Sequence, residues 1–181
     1  MDKMQLKALA KINLGLDVLR KREDGYHDVR MIMQTVRIFD RLALVKQDKE
    51  GIRVRTNLYY LPANENNLVY KAANLLFEEF DIPGGLSIDL KKYIPVAAGM
   101  AGGSSDAAAV LYGLNRMYGL GLSQEQLAEI SGLSVRTVQR LERGQPVRVA
   151  DIVAVDGLHD QAVGQRQHRD QPGPQQERGH E

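Results

Sequence analysis

Apolar and polar residues alternate along residues 5–19, where Leu9, Ile12, Leu14 and Leu16 are interleaved with Lys11 and Asn13. A period of two is that of a half-buried strand, so this stretch predicts two strands or one bent strand. Residues 20–28 form a charged turn around Asp24-Gly25, and residues 29–45 predict one or two further strands with a bend near Phe39-Asp40-Arg41. Residues 52–57 alternate again, and 61–66 read as a loop. The period then becomes helical in residues 67–80, through Leu68, Ala72, Leu75, Leu76 and Phe80, until Pro83-Gly84-Gly85 breaks it. Residues 86–90 predict a strand, 95–103 a loop, and 104–118 a helix of small residues ending before Gly119 and Gly121. Antiparallel strands followed by helices packed on one side make an α+β domain.

Composition adds a boundary to this pattern. The chain has 181 residues, 43% apolar and 26% charged, with a net charge of +1. These values suit a soluble domain and give no global attraction to nucleic acid or membrane. It has no cysteine, so disulfides and thiolate metal sites are excluded. The first residues have no apolar signal core and no run is long enough for a membrane helix, so a cytoplasmic protein is expected. Lys is absent after Lys92, and Phe, Tyr, Met and Asn are absent after Tyr118, while Arg and Gln become common. A fusion, a frameshift or a chimeric assembly would each produce that break. Residues 146–181 are expected to form a low-complexity, disordered tail, since from Gly157 onward hardly any apolar residue is available to offset the entropy of ordering.

The most specific chemistry lies in Pro95-Val96-Ala97-Ala98-Gly99-Met100-Ala101-Gly102-Gly103-Ser104-Ser105-Asp106. Glycines let backbone approach a ligand closely, and a helix start offers unpaired N–H groups and partial positive charge to a phosphate. This is neither the Walker pattern nor the dinucleotide fingerprint. The same spacing also fits a serine-capped, Ala-rich helix with no ligand.

Pro-x-x-x-Gly-x-x-Gly-Gly-Ser-Ser before an Ala-rich helix resembles the ATP loop of the GHMP kinases, whose N-terminal domain has a ribosomal-protein-S5-domain-2-like fold. Within them the chain is similar to the branch that phosphorylates 4-diphosphocytidyl-2-C-methyl-D-erythritol in non-mevalonate isoprenoid synthesis. Residues 8–14 (Ala-Leu-Ala-Lys-Ile-Asn-Leu), 24–27 (Asp-Gly-Tyr-His) and 67–73 (Asn-Leu-Val-Tyr-Lys-Ala-Ala) match further motifs of that branch in the same order, so the resemblance covers residues 5–130. It implies ATP and Mg²⁺ as cofactors and a cytidylyl sugar alcohol as substrate, phosphorylated at its 2-hydroxyl. It implies that Lys11 stands beside the reacting hydroxyl, that Asn13, Tyr26 and His27 hold the substrate, and that Asn67 frames the nucleotide with the loop residues 95–105. Asn67 also fits a simple helix cap. No metal-ligating residue is assigned to the protein.

The resemblance places the general base in a Gly-Ala-Asp-Val-Pro segment shortly after the position of Ile130. This chain has no aspartate between Asp106 and Asp151. A base contributes about 10²–10⁴-fold to a rate, so an incomplete kinase of impaired activity is expected. Residues 122–145 instead resemble the helix-turn-helix of Cro/C1-type (Xre family) repressors. Ser123 and Gln126 suit a capping box, Ser131-Gly132-Leu133 a turn and Ser134 the next cap, with Val135, Val138 and Leu141 as a buried stripe. Arg136, Thr137, Gln139 and Arg140 would then face DNA, which is the alternative partner. Three Arg offset three Glu between residues 123 and 145, which argues against strong phosphate neutralisation.

Overall fold

A computed structural model describes residues 1–23, 25, 27–143 and 153–155. Strands β1 (Lys3–Lys21) and β2 (His27–Gln47) form a long antiparallel hairpin. Strand β3 (Gly51–Thr56) leads through a loop to helix α1 (Leu68–Glu79), and strand β4 (Gly85–Lys91) leads to helix α2 (Gly102–Tyr118). Helices α3 (Gln124–Ser131) and α4 (Val135–Arg143) follow, and a short strand β5 (Val153–Val155) pairs with β2 at residues 29–31. The sheet runs β1-β2-β4-β3, with β5 off that path.

The alternating pattern buries one face of this sheet. Leu42 and Leu44 of β2, Leu86, Ile88 and Leu90 of β4 and Val54 of β3 point into the core beneath the helices. Burying a side chain of this kind stabilises by about 1.5–3 kcal/mol. Val69, Ala72, Ala73 and Leu76 supply the matching face of α1, and residues 107–111 with Leu114 and Met117 that of α2. Alanines and Gly113 bring α2 unusually near the strands, since a Cβ at Gly113 would lie 2.5 Å from Leu44 Cδ1 and 2.9 Å from Leu6 Cδ1.

The alternation marks the strands but carries no direction. β3 and β4 pair in parallel, because α1 crosses between them and returns the chain to the same end. α2 begins at Gly102, two residues before the sequence pattern places it. The pairing of β1 with β2 shifts register between Leu9 and Lys11 and again between Asn13 and Gly15. Such irregularities re-aim side chains, and these two bracket Lys11 and Asn13. β2 pairs with β4 only from Arg41 onward, so the expected bend at residues 39–41 is the point where the two strands part.

Ser123 and Gln126 form the expected capping box, Gly132 ends α3 in the left-handed region, and Ser134 Oγ accepts the Thr137 N–H at 3.2 Å. No helix among the described residues is long and apolar enough to cross a membrane. Residues 146–152 and 156–181 of the expected tail lie outside the described residues.

Candidate functional site

The loop between β4 and α2 turns through left-handed conformations at Ala97, Gly99 and Ala101, with φ of 60°, 70° and 57°. For alanine this conformation costs about 1–2 kcal/mol. Alternation of left-handed with other conformations turns successive N–H groups toward one concave side, a geometry suited to anions. Three contacts hold the loop in place. The Lys11 N–H donates to the Met100 carbonyl at 3.0 Å, the Ser105 hydroxyl donates to the Leu9 carbonyl at 3.0 Å, and the Ser105 N–H closes the first helical bond to Ala101 at 2.9 Å. Strand β1 therefore carries Lys11 directly alongside the loop.

Serine capping does not explain the start of α2. The N-cap is Ala101, which has no side-chain capping bond, and Ser104 and Ser105 fall within the first turn. The N–H groups of Gly102, Gly103 and Ser104 have no acceptor inside the helix, as at any helix start. Both glycines pack closely against neighbouring side chains. A Cβ on Gly103 would lie 2.8 Å from Leu68 Cδ1, and one on Gly102 would lie 3.1 Å from both Ile94 Cγ2 and Lys92 Nζ. Residues 95–99 are exposed, while Gly102, Gly103 and Ser104 are half-buried.

Beneath Gly102 lies a buried charged cluster that the sequence did not disclose. Lys92 Nζ bonds Asp40 Oδ2 and reaches Asp106 Oδ2 at 2.7 Å, and all three side chains are at least 95% buried. Asp40 Oδ1 also accepts the N–H groups of Tyr93 at 2.5 Å and Ile94 at 2.8 Å. Asp106 Oδ1 is buried with no partner. Burial pushes the Asp106 carboxyl up to about 7, opposed by the Lys92 ammonium and reinforced by the Asp40 charge. The available signal was a charged residue, Asp40, in period-two register with Leu42 and Leu44. Its partners stand 52 and 66 positions away, beyond the reach of local spacing.

The other expected site residues are distributed as follows. Lys11 Nζ donates to Asn13 Oδ1 at 3.3 Å, so these two face each other on β1. His27 is exposed at the start of β2, and Tyr26 lies outside the described residues. Asn67 is buried as the N-cap of α1. Its Oδ1 accepts the Val69 N–H at 3.0 Å and its Nδ2 donates to the Pro62 carbonyl at 2.6 Å, so its amide is committed to the fold.

The residues assigned to DNA all lie on α4. Val138 is fully buried among the core residues that include Leu127, and α4 lies against α2 and β1. Arg136, Thr137 and Gln139 are half-buried, and the Arg140 side chain lies outside the described residues. The Thr137 hydroxyl is bonded to that of Ser134 at 2.8 Å. A reading helix must offer its outer face to a groove. On α4 that face is half-buried at Arg136, Thr137 and Gln139.

The chain resembles known proteins over this same region. Residues 67–155 match the model of the GHMP kinases N-terminal domain. A 4-diphosphocytidyl-2-C-methyl-D-erythritol kinase of Lachnospira eligens is 55% identical over 130 residues, which is 72% of this chain and 45% of that protein. The Bacillus cereus protein of the same name is 54% identical over 128 residues, 71% of this chain and 44% of the relative. This chain thus spans about half the length of the curated relatives it matches. A crystal structure of 4-(cytidine 5'-diphospho)-2C-methyl-D-erythritol kinase superposes with a TM-score of 0.66 and 33% identity, over 84% of this chain and 55% of that one. A mevalonate kinase structure, at 15% identity and a TM-score of 0.53 over 78% of this chain and 48% of its own, shares the fold. None of these similarities is to a DNA-binding protein. The described residues therefore fold as the N-terminal domain of the GHMP kinases.

Proposed function

We propose that this chain binds the phosphates of ATP at residues 95–105 and represents the nucleotide-binding part of a kinase acting on 4-diphosphocytidyl-2-C-methyl-D-erythritol. One observation carries the reading. An uncapped helix start with two close-packed glycines is tied to the strand that presents Lys11. Its N–H groups and partial positive charge suit a phosphate, and phosphoryl transfer depends chiefly on such positioning and charge stabilisation. Mg²⁺ would enter on the ATP phosphates, since this ion favours phosphate oxygens and retained water. The names of the relatives supply the substrate class.

In this reading Lys11 lies beside the reacting hydroxyl and stabilises its developing charge, with Asn13 orienting both groups. Tyr26 and His27 receive the cytosine by stacking and hydrogen bonding. The segment where the relatives' branch is expected to carry its aspartate base reads Ser131-Gly132-Leu133-Ser134-Val135, and Ser134 there caps α4. The chain accordingly binds ATP with little or no turnover. Assaying the purified chain with ATP, Mg²⁺ and the cytidylyl substrate tests this. Nucleotide binding with turnover near background is expected. Robust turnover abolished by Lys11→Ala would contradict the impairment, and absence of any ATP binding would contradict the site.

A further inference from the structure

A lysine set beneath a phosphate loop would ordinarily be read as a ligand for the phosphate. Here Lys92 is otherwise engaged. Its side chain is 95% buried, and its ammonium lies between Asp40 of β2 and Asp106 of α2 and would stand 3.1 Å from a Cβ on Gly102. Its backbone is equally fixed, because the Lys92 N–H donates to Asn57 Oδ1 at 2.7 Å and Asn57 Nδ2 donates to the Lys92 carbonyl at 3.1 Å. The cluster sits where β2 and β4 part, and there Asp40 takes over from the sheet ladder by accepting two N–H groups of the segment that leads into the loop.

Such an arrangement is an expensive way to hold a fold together. A buried ion pair gains little over well-packed apolar groups of similar volume, because both charges lose their water. What it supplies is a fixed geometry. Two carboxylates on different elements converge on one nitrogen, which sets the height of the first turn of α2 above the sheet. The loop is tied to β1 from the side through Met100 and Ser105, and to the sheet from below through Lys92.

We propose that Lys92, gripped by Asp40 and Asp106, is a positioning residue that fixes the N–H groups of Gly102, Gly103 and Ser104 in the register a phosphate requires; this rests on the phosphate-binding reading above. The role is separable from stability, since an uncharged cluster can fill the same space. A variant carrying Asp40→Asn, Lys92→Met and Asp106→Asn together removes all three charges, and Lys92→Arg keeps the charge while altering its geometry.

The test has two readouts. Amide resonances of Gly102, Gly103 and Ser104 are recorded without ligand, and ATP affinity is measured by calorimetry, for the wild type and both variants. The uncharged variant is expected to melt within a few degrees of the wild type, to shift those three amides while leaving those of α1 in place, and to bind ATP at least about tenfold more weakly, since small misplacements in such sites are costly. Lys92→Arg is expected to shift the same amides and bind ATP more weakly than the wild type, and it carries the test should the uncharged variant fail to fold. Unchanged amides with wild-type ATP affinity in either folded variant would overturn the proposal. If the wild type itself does not bind ATP, the phosphate-binding reading falls, and the amide shifts alone decide whether Lys92 sets the loop's geometry.

Discussion

The backbone N–H of Lys11 donates to the carbonyl of Met100 at 3.0 Å, so the strand bearing the expected catalytic lysine is stitched to the loop expected to hold phosphate. The bond belongs to the main chain and survives any change of side chain. Lys11→Ala should therefore leave ATP affinity within about threefold of the wild type and change stability by less than about 1 kcal/mol. Whatever phosphoryl transfer the chain supports should disappear. Calorimetry beside a coupled assay checks both halves.

The two serines of the loop should separate under denaturation. Ser105 Oγ is bonded to the Leu9 carbonyl, and its loss should cost about 1 kcal/mol. Ser104 stands half-buried in the first turn, and Ser104→Ala should cost less than about 0.5 kcal/mol. Urea midpoints of the two single variants make the comparison, and equal losses would argue against the anchoring contact.

Stability should fall as pH rises from about 4 to about 7. The Asp106 carboxyl is raised from 3.8 in the unfolded chain to about 7 in the fold, chiefly by burial. Between those values the folded protein holds a proton that the unfolded chain has released, so each step up in pH favours unfolding. The penalty is absent below the lower value, complete above the upper one, and on the order of a few kcal/mol. Asp106→Asn should remove this component, so the difference between variant and wild-type stability grows in the variant's favour across that window. Urea titrations at pH 4.5, 6 and 8 measure it.

Helix α2 should tolerate little bulk where it rides closest to the sheet. A side chain at Gly113 meets Leu44 and Leu6, and Gly113→Val should destabilise by about 2 kcal/mol or more through overpacking. A thermal melt of the variant tests this.

Strand and helix positions were legible because apolar periodicity is imposed locally, as at residues 67–80 and 123–134. The capping box of Ser123 and Gln126 was legible for the same reason. Direction was not, since alternation in β3 is identical for parallel and antiparallel neighbours and α1 decides between them. The glycine-rich loop announced itself through composition. The cluster beneath it stayed hidden, because Asp40, Lys92 and Asp106 are brought together only by the parting of β2 from β4. The surroundings of α4 were hidden for a related reason. Of its stripe, Val138 is buried and Val135 partly buried, but spacing within one helix gives no account of the half-burial of Arg136, Thr137 and Gln139.

The central claim is that residues 95–105 bind phosphate through the N–H groups and the Ser104 hydroxyl at the start of α2, held in place by the Ser105 anchor to Leu9. Titrating ATP with Mg²⁺ into the wild-type chain and into Ser104→Ala/Ser105→Ala, by calorimetry, tests it most directly. Saturable binding by the wild type, weakened at least about tenfold in the double variant, is the predicted result. Equal binding by both proteins, or none by the wild type, would contradict it.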